Sequence, residues 1–203
     1  MRTRSLAQWR MRFSIARLPV LALVLGVGAA SSQAAGGRSC GGVSFPGTLT
    51  LGGTTLELNG LGLREATVFA VDVFVAALYV QHRSSDPKLL LSRDEPTRVI
   101  LHFVRDTGAD TVADEMDAAY RANAKKDFAA EKKQLFGWLQ DFSVGQSLSF
   151  SYQPEQGLEV RVAGRVKGVI AGREFASATL AVLIGRTVAD EDLRAGLLGG
   201  SCR

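Results

Sequence analysis

Hydrophobic and polar residues take turns along much of this chain, beginning at Leu49. Leu49 and Leu51 alternate with threonines, Gly52-Gly53 breaks the run, and Leu56 and Leu58 resume it. Two period-two runs around a glycine pair predict a β-hairpin. Asn59-Gly60-Leu61-Gly62-Leu63-Arg64 reads as a second turn, feeding a long extended stretch from Ala66 to Val80. Within it Val68, Phe69, Val71, Val73, Phe74 and Val75 fit no single alternating face, which predicts strand buried on both sides. Asp86-Pro87 starts a short helix, Lys88 to Ser92. Thr97 to Val104 is a further strand, with Val99, Leu101 and Phe103 on one face and His102 on the other.

The period then changes. Asp110 is placed to cap a helix running to about Phe128. Glu131 to Phe142 is a second helical segment, with Leu135, Trp138 and Leu139 at helical spacing. Alternation returns at Ser147–Tyr152, Leu158–Val162 and Val166–Ile170, and the turns between them predict a meander. A helix from Arg173 to Ile184 stops at Gly185, and a last short one covers Asp190 to Leu197. Strands and helices segregate in this order, which predicts an α+β domain with helices packed on a mostly antiparallel sheet.

The first residues follow a different pattern. Arg2, Arg4, Arg10, Arg12 and Arg17 precede an apolar run from Leu18 to Ala30, and Ser32 and Ala34 supply a small-x-small pair. These are the three parts of a secretory signal peptide. A span of hydrocarbon needs ~20 apolar residues, more than this run holds. The expectation is a signal peptide over residues 1–34, a mature domain over 35–203, a periplasmic or secreted location, and no stable membrane insertion after cleavage. Those five arginines also account for the net charge of +4. Beyond residue 34 the chain has nineteen basic and twenty acidic residues, so it has no long-range field for a polyanion, and nucleic acid is excluded as a partner.

Cys40 and Cys202 are the two cysteines, near opposite ends of the mature chain and bound for a compartment that oxidises thiols. The expectation is a structural disulfide. Their glycine-rich flanks, with no neighbouring histidine, argue against a reactive or metal-binding thiol. His82 and His102 are the only histidines and sit in no ligand-spaced pattern, so no metal is expected. The chain has no phosphate loop, no Gly-x-Ser-x-Gly elbow and no strand–glycine–helix fingerprint, so no cofactor is expected.

Several segments together carry a family resemblance. Asn59-Gly60-Leu61-Gly62-Leu63-Arg64 leads to Val73-Phe74-Val75-Ala76-Ala77-Leu78-Tyr79-Val80, and Arg98-Val99-Ile100-Leu101-His102-Phe103 runs into a helix. Gly168-Val169-Ile170 precedes Phe175, Ala178 and Leu180, and Leu183-Ile184-Gly185 and Val188 precede Leu193. In order and spacing this resembles the chalcone isomerase-like family, in its exported bacterial branch, from about Val43 to Leu198. The resemblance implies an open-faced β-sandwich, a curved antiparallel sheet with a helical layer and a cleft between the two. It also implies one of three functions: a flavonoid-cyclising isomerase, a fatty-acid binder, or a relative without catalysis.

The family's cleft arginine matches Arg64 in position. A planar, permanently charged fork favours a delocalised oxyanion once water is partly excluded, whether that is a phenolate, an enolate or a carboxylate. The isomerases' remaining hydroxyl and amide positions fall at Phe69, Thr111, near Ala118 and near Ala176 beside Ser177. A phenyl ring at Phe69 cannot polarise a carbonyl. The favoured expectation is therefore a binder of a small amphipathic carboxylate or phenolic ligand, a fatty acid first. Arg64 would hold its head, and Phe69, Val71, Phe175 and Leu183 its tail. An alternative is an isomerase of the intramolecular lyase type in which Arg64 stabilises an oxyanion while Thr111 or Tyr120 orients water or carbonyl. A further alternative is a structural or interaction module. Its candidate surfaces are the acidic helix Asp114–Tyr120 and the basic run Lys125, Lys126, Lys132 and Lys133, with no protein partner identified. For Arg64 the bland alternative is a structural salt bridge to Asp72 or Glu65.

Overall fold

The computed structural model describes residues 36–66 and 71–202. The expected signal peptide and Phe69 lie outside them. In chain order the elements are β1 (Arg38–Cys40), β2 (Val43–Phe45), β3 (Thr48–Leu51), β4 (Thr54–Ala66), β5 (Val71–Val80), α1 (Pro87–Ser92) and β6 (Thr97–Phe103). They continue with α2 (Ala109–Asn123), α3 (Ala129–Phe136), β7 (Ser147–Gln153), β8 (Gly157–Val162), β9 (Arg165–Ile170), α4 (Arg173–Ile184) and α5 (Glu191–Leu197). Strands β3 to β9 form one curled sheet in sequential order, every neighbouring pair antiparallel.

The helices lie on one face of this sheet. Phe74, Ala76 and Leu78 of β5 point to that face, as do Leu101 and Phe103 of β6 and Phe150 of β7. Against them pack Met116 and Tyr120 of α2, Phe175 and Ile184 of α4, and Leu197 of α5. The opposite face of β4 and β5 buries Leu61, Leu63, Val75 and Tyr79 under Cys40 and Phe45 of the β1–β2 hairpin. That double cover explains why β5 has no single apolar face in the sequence. Cys40 is bonded to Cys202, with Cα atoms 5.9 Å apart, so the chain's last residues are tied to this hairpin.

Turn chemistry set most boundaries as expected. Asp86 caps α1 by accepting the Lys88 N–H at 2.9 Å, and Gly185 ends α4. Four expectations need correction. The second helical segment, expected to run from Glu131 to Phe142, stops at Phe136. The segment Asn59–Arg64 is not a turn but the middle of β4. Its glycines serve a close approach: a Cβ on Gly60 would lie 2.1 Å from the Gly196 carbonyl oxygen, and one on Gly62 2.4 Å from that of Leu193. Both contacts are backbone of α5, which therefore rides directly on the strand. Helix α2 ends at Asn123 rather than Phe128, because Ala124 turns to an extended backbone, and Phe128, with a left-handed one (φ 50°), starts α3. Asp110 does not cap α2; Gly108 is its N-cap, and Asp141 Oδ1 accepts the Ala109 N–H at 2.9 Å.

Candidate functional site

Strand alternation puts Gly60, Gly62 and Arg64 on the helix-facing side of β4. Because two glycines let α5 settle on the strand, the residue that opens α5 comes down beside Arg64. That residue is Asp190, whose Oδ1 caps the helix by accepting the Leu193 N–H at 2.9 Å. Its Oδ2 lies 3.7 Å from Arg64 Nη1 and accepts the Glu65 N–H at 3.4 Å. Arg64 Nη1 also donates to the Glu65 carbonyl oxygen, and Nη2 donates to Glu115 Oε1 of α2 at 3.4 Å. The guanidinium is thus held from three directions, and Arg64 as a residue is only 8% exposed.

Arg64 stands at the end of a cavity of about 270 Å³ between sheet and helices. Val73, Phe74, Leu101 and Phe103 form its sheet wall, and Val112 and Met116 of α2 face them. Val182 and Leu183 of α4 and Leu193 of α5 complete the apolar lining. At the polar end Arg105, Asp106, Thr111 and Glu115 join Arg64 and Asp190. The cavity is therefore amphipathic, with charge at one end and hydrocarbon along its length, the usual make-up of a small-molecule site. Among the described residues no group of three His, Cys, Asp or Glu side chains converges as a metal ion requires. Among the described residues, no helix is long and apolar enough to cross a membrane.

A family model described as chalcone isomerase-like matches residues 37–199. The chain belongs to the chalcone isomerase-like family. No curated protein matches it in sequence. Among solved structures it is similar to a crystal structure of an Arabidopsis thaliana fatty-acid binding protein. The TM-score is 0.63 at 15% identity, covering 78% of this chain and 92% of that one. An identity so low speaks for the fold alone, and the fold agrees with the open-faced arrangement the family resemblance implies.

In this chalcone isomerase-like chain Arg64, Thr111 and Leu183 line the cavity. Val71 pairs with Ala66 at the start of β5 and is not part of the lining, although Ala66 is. Phe175 and Tyr120 lie behind the cavity wall in the core, their rings stacked with centroids 5.6 Å apart. Tyr120 also shares a 2.7 Å hydrogen bond with Thr179, which itself donates to the Phe175 carbonyl. Burial pushes the Tyr120 phenol well above its usual range, an effect the Thr179 hydrogen bond only partly offsets. The hydroxyl that α4 presents to the cavity is Thr179; Ser177 turns the other way and donates to the Leu91 carbonyl at 2.9 Å.

Sequence reasoning missed Glu115, Asp190 and Arg105. The partners expected for Arg64, Asp72 or the Glu65 side chain, are not the ones it has. Asp72 sits opposite Glu65 on the neighbouring strand and is exposed, whereas Glu115 and Asp190 arrive from two different helices. The only available signal for Asp190 was its position as a helix cap before Leu193. Of the basic run, Lys132 bridges Asp117 of α2 at 2.8 Å and Asp127 of the α2–α3 connection at 2.9 Å, while Lys126 pairs with Glu174 of α4.

Proposed function

We propose that this protein binds a small amphipathic acid, a fatty acid being the leading case, in the cavity between sheet and helices. Arg64 holds the acid's head, and Phe74, Leu101, Phe103 and Leu183 receive its tail. One observation carries the reading: a nearly buried, permanently charged guanidinium closes one end of an apolar cavity. Burying a tail there is worth about 0.8 kcal/mol per methylene. A charge-assisted hydrogen bond to the head adds about 1.5–3 kcal/mol. The fatty-acid binding protein of similar fold supports the same reading. We further propose that the protein belongs to an exported bacterial branch of the family and works in the periplasm or outside the cell. Its basic and apolar leader over residues 1–34 and the Cys40–Cys202 bond support that location.

Titration calorimetry with octanoate tests the binding reading. Arg64→Gln should weaken binding about ten-fold or more, with folding checked by thermal unfolding. Equal affinity in wild type and Arg64→Gln would reject the role of Arg64. Amino-terminal sequencing of secreted protein tests export: a start at Ala35 or Gly36 is expected, and a start at Met1 would contradict it.

A further inference from the structure

The polar end of the cavity carries three carboxylates, Asp106, Glu115 and Asp190, against two guanidinium groups, Arg64 and Arg105. An incoming anion therefore gains nothing from a general positive field. What it meets is an arginine that already has anionic company, held unequally by its two carboxylates.

Asp190 is committed. Its side chain is only 13% exposed, one oxygen caps α5, and the other accepts the Glu65 N–H. Pulling it away would strip a helix of its cap and leave two backbone donors unsatisfied. Glu115 is different. Its side chain is 50% exposed on the rim of α2, and its single hydrogen bond is the long 3.4 Å contact to Arg64. Swinging outward, it returns to water with little desolvation to reverse. The guanidinium left behind is nearly buried and needs a replacement anion.

Resting on the binding reading above, we propose that Glu115 is a tethered competitor for Arg64. An acid enters by exchanging its own carboxylate for that of Glu115 while Asp190 stays in place. Glu115 then sets specificity. A flexible tether gives a group an effective concentration in the millimolar range, so a bare carboxylate such as acetate does not displace it below that concentration. A carboxylate on an apolar tail does, because tail burial supplies the difference. A neutral head gains no such exchange and leaves the Glu115–Arg64 pair intact.

The experiment is titration calorimetry of the full disulfide-bonded chain with octanoate and methyl octanoate, in wild type, Glu115→Gln and Glu115→Ala. Thermal unfolding confirms that each variant folds. The expected result is that both variants bind octanoate about two- to five-fold more tightly than wild type, the scale of a half-exposed ion pair, while the affinity for the ester is unchanged. Equal or weaker octanoate binding in the variants overturns the exchange and leaves the binding reading standing. Octanoate binding by neither wild type nor variants overturns the binding reading, and the exchange with it.

Discussion

Replacing Gly62 by alanine is the sharpest test of how the site is assembled. The added Cβ would stand 2.4 Å from the Leu193 carbonyl oxygen, 2.8 Å from its Cδ1 and 2.9 Å from its Cα. An ordinary carbon–oxygen contact is about 3.3 Å or more, so α5 must retreat by about 1 Å. Overpacking of this kind costs about 1–3 kcal/mol. Here the obstacle is backbone rather than a side chain that could turn aside, which favours the upper half of that range. Set against it is a gain of about 0.4–1 kcal/mol from the smaller unfolded-state entropy of alanine. The net expectation is a loss of about 2 kcal/mol. With a urea m-value of about 2 kcal/mol/M, the midpoint falls by about 1 M. Because Asp190 rides on α5, octanoate affinity should change as well. A midpoint equal to or above wild type would refute the reasoning, since it would mean that the approach of α5 does not depend on the space a Cβ at Gly62 would fill.

Other outcomes follow from the same geometry. Removing the disulfide by Cys40→Ser with Cys202→Ser should lower stability by as much as about 5 kcal/mol, as a chain-entropy estimate for so long a loop gives; chemical unfolding measures it, and no loss would contradict a native bond. Burial raises the phenols of Tyr79 and Tyr152 from 10.0 to about 12 and that of Tyr120 further, and these are the chain's three tyrosines. Their contribution to stability is complete below pH 10 and is lost as pH rises towards 12, so tyrosinate absorbance should appear only with unfolding; a normal titration near pH 10 in folded protein would contradict this. In a series of straight-chain acids, affinity should rise by about 0.8 kcal/mol per methylene and then level off. The cavity of about 270 Å³ is finite and walled by packed side chains, so a rise continuing undiminished to sixteen carbons would contradict its role as the tail site.

Much of the fold was legible because local chemistry specified it. Glycine pairs, the Asp86-Pro87 start and the Gly185 stop each encode a boundary within a few residues of chain. The β7–β9 meander needed only alternation and short turns. Gly60 and Gly62 misled for a physical reason: glycine has no side chain both where the chain must turn and where another backbone must come close, and the sequence is the same in either case. Trp138 and Leu139 kept helical spacing past the end of α3, although the helix stops at Phe136, and Trp138 instead lies close against Gly168 of β9. Of the site, Arg64 could be chosen because its position matched a family pattern. Its partners could not, since Glu115 and Asp190 come from helices far along the chain and only the assembled sheet brings them together. Tyr120 and Phe175 looked available as polar and apolar residues of the right helices, but each helix turns them into the core.

The measurement that bears most directly on this account is a crystal structure of the chain with octanoate bound. The carboxylate should lie within hydrogen-bond distance of Arg64, with the tail running along Phe74, Leu101 and Phe103. Density for the acid at any other place, with the cavity beside Arg64 unchanged, would contradict it.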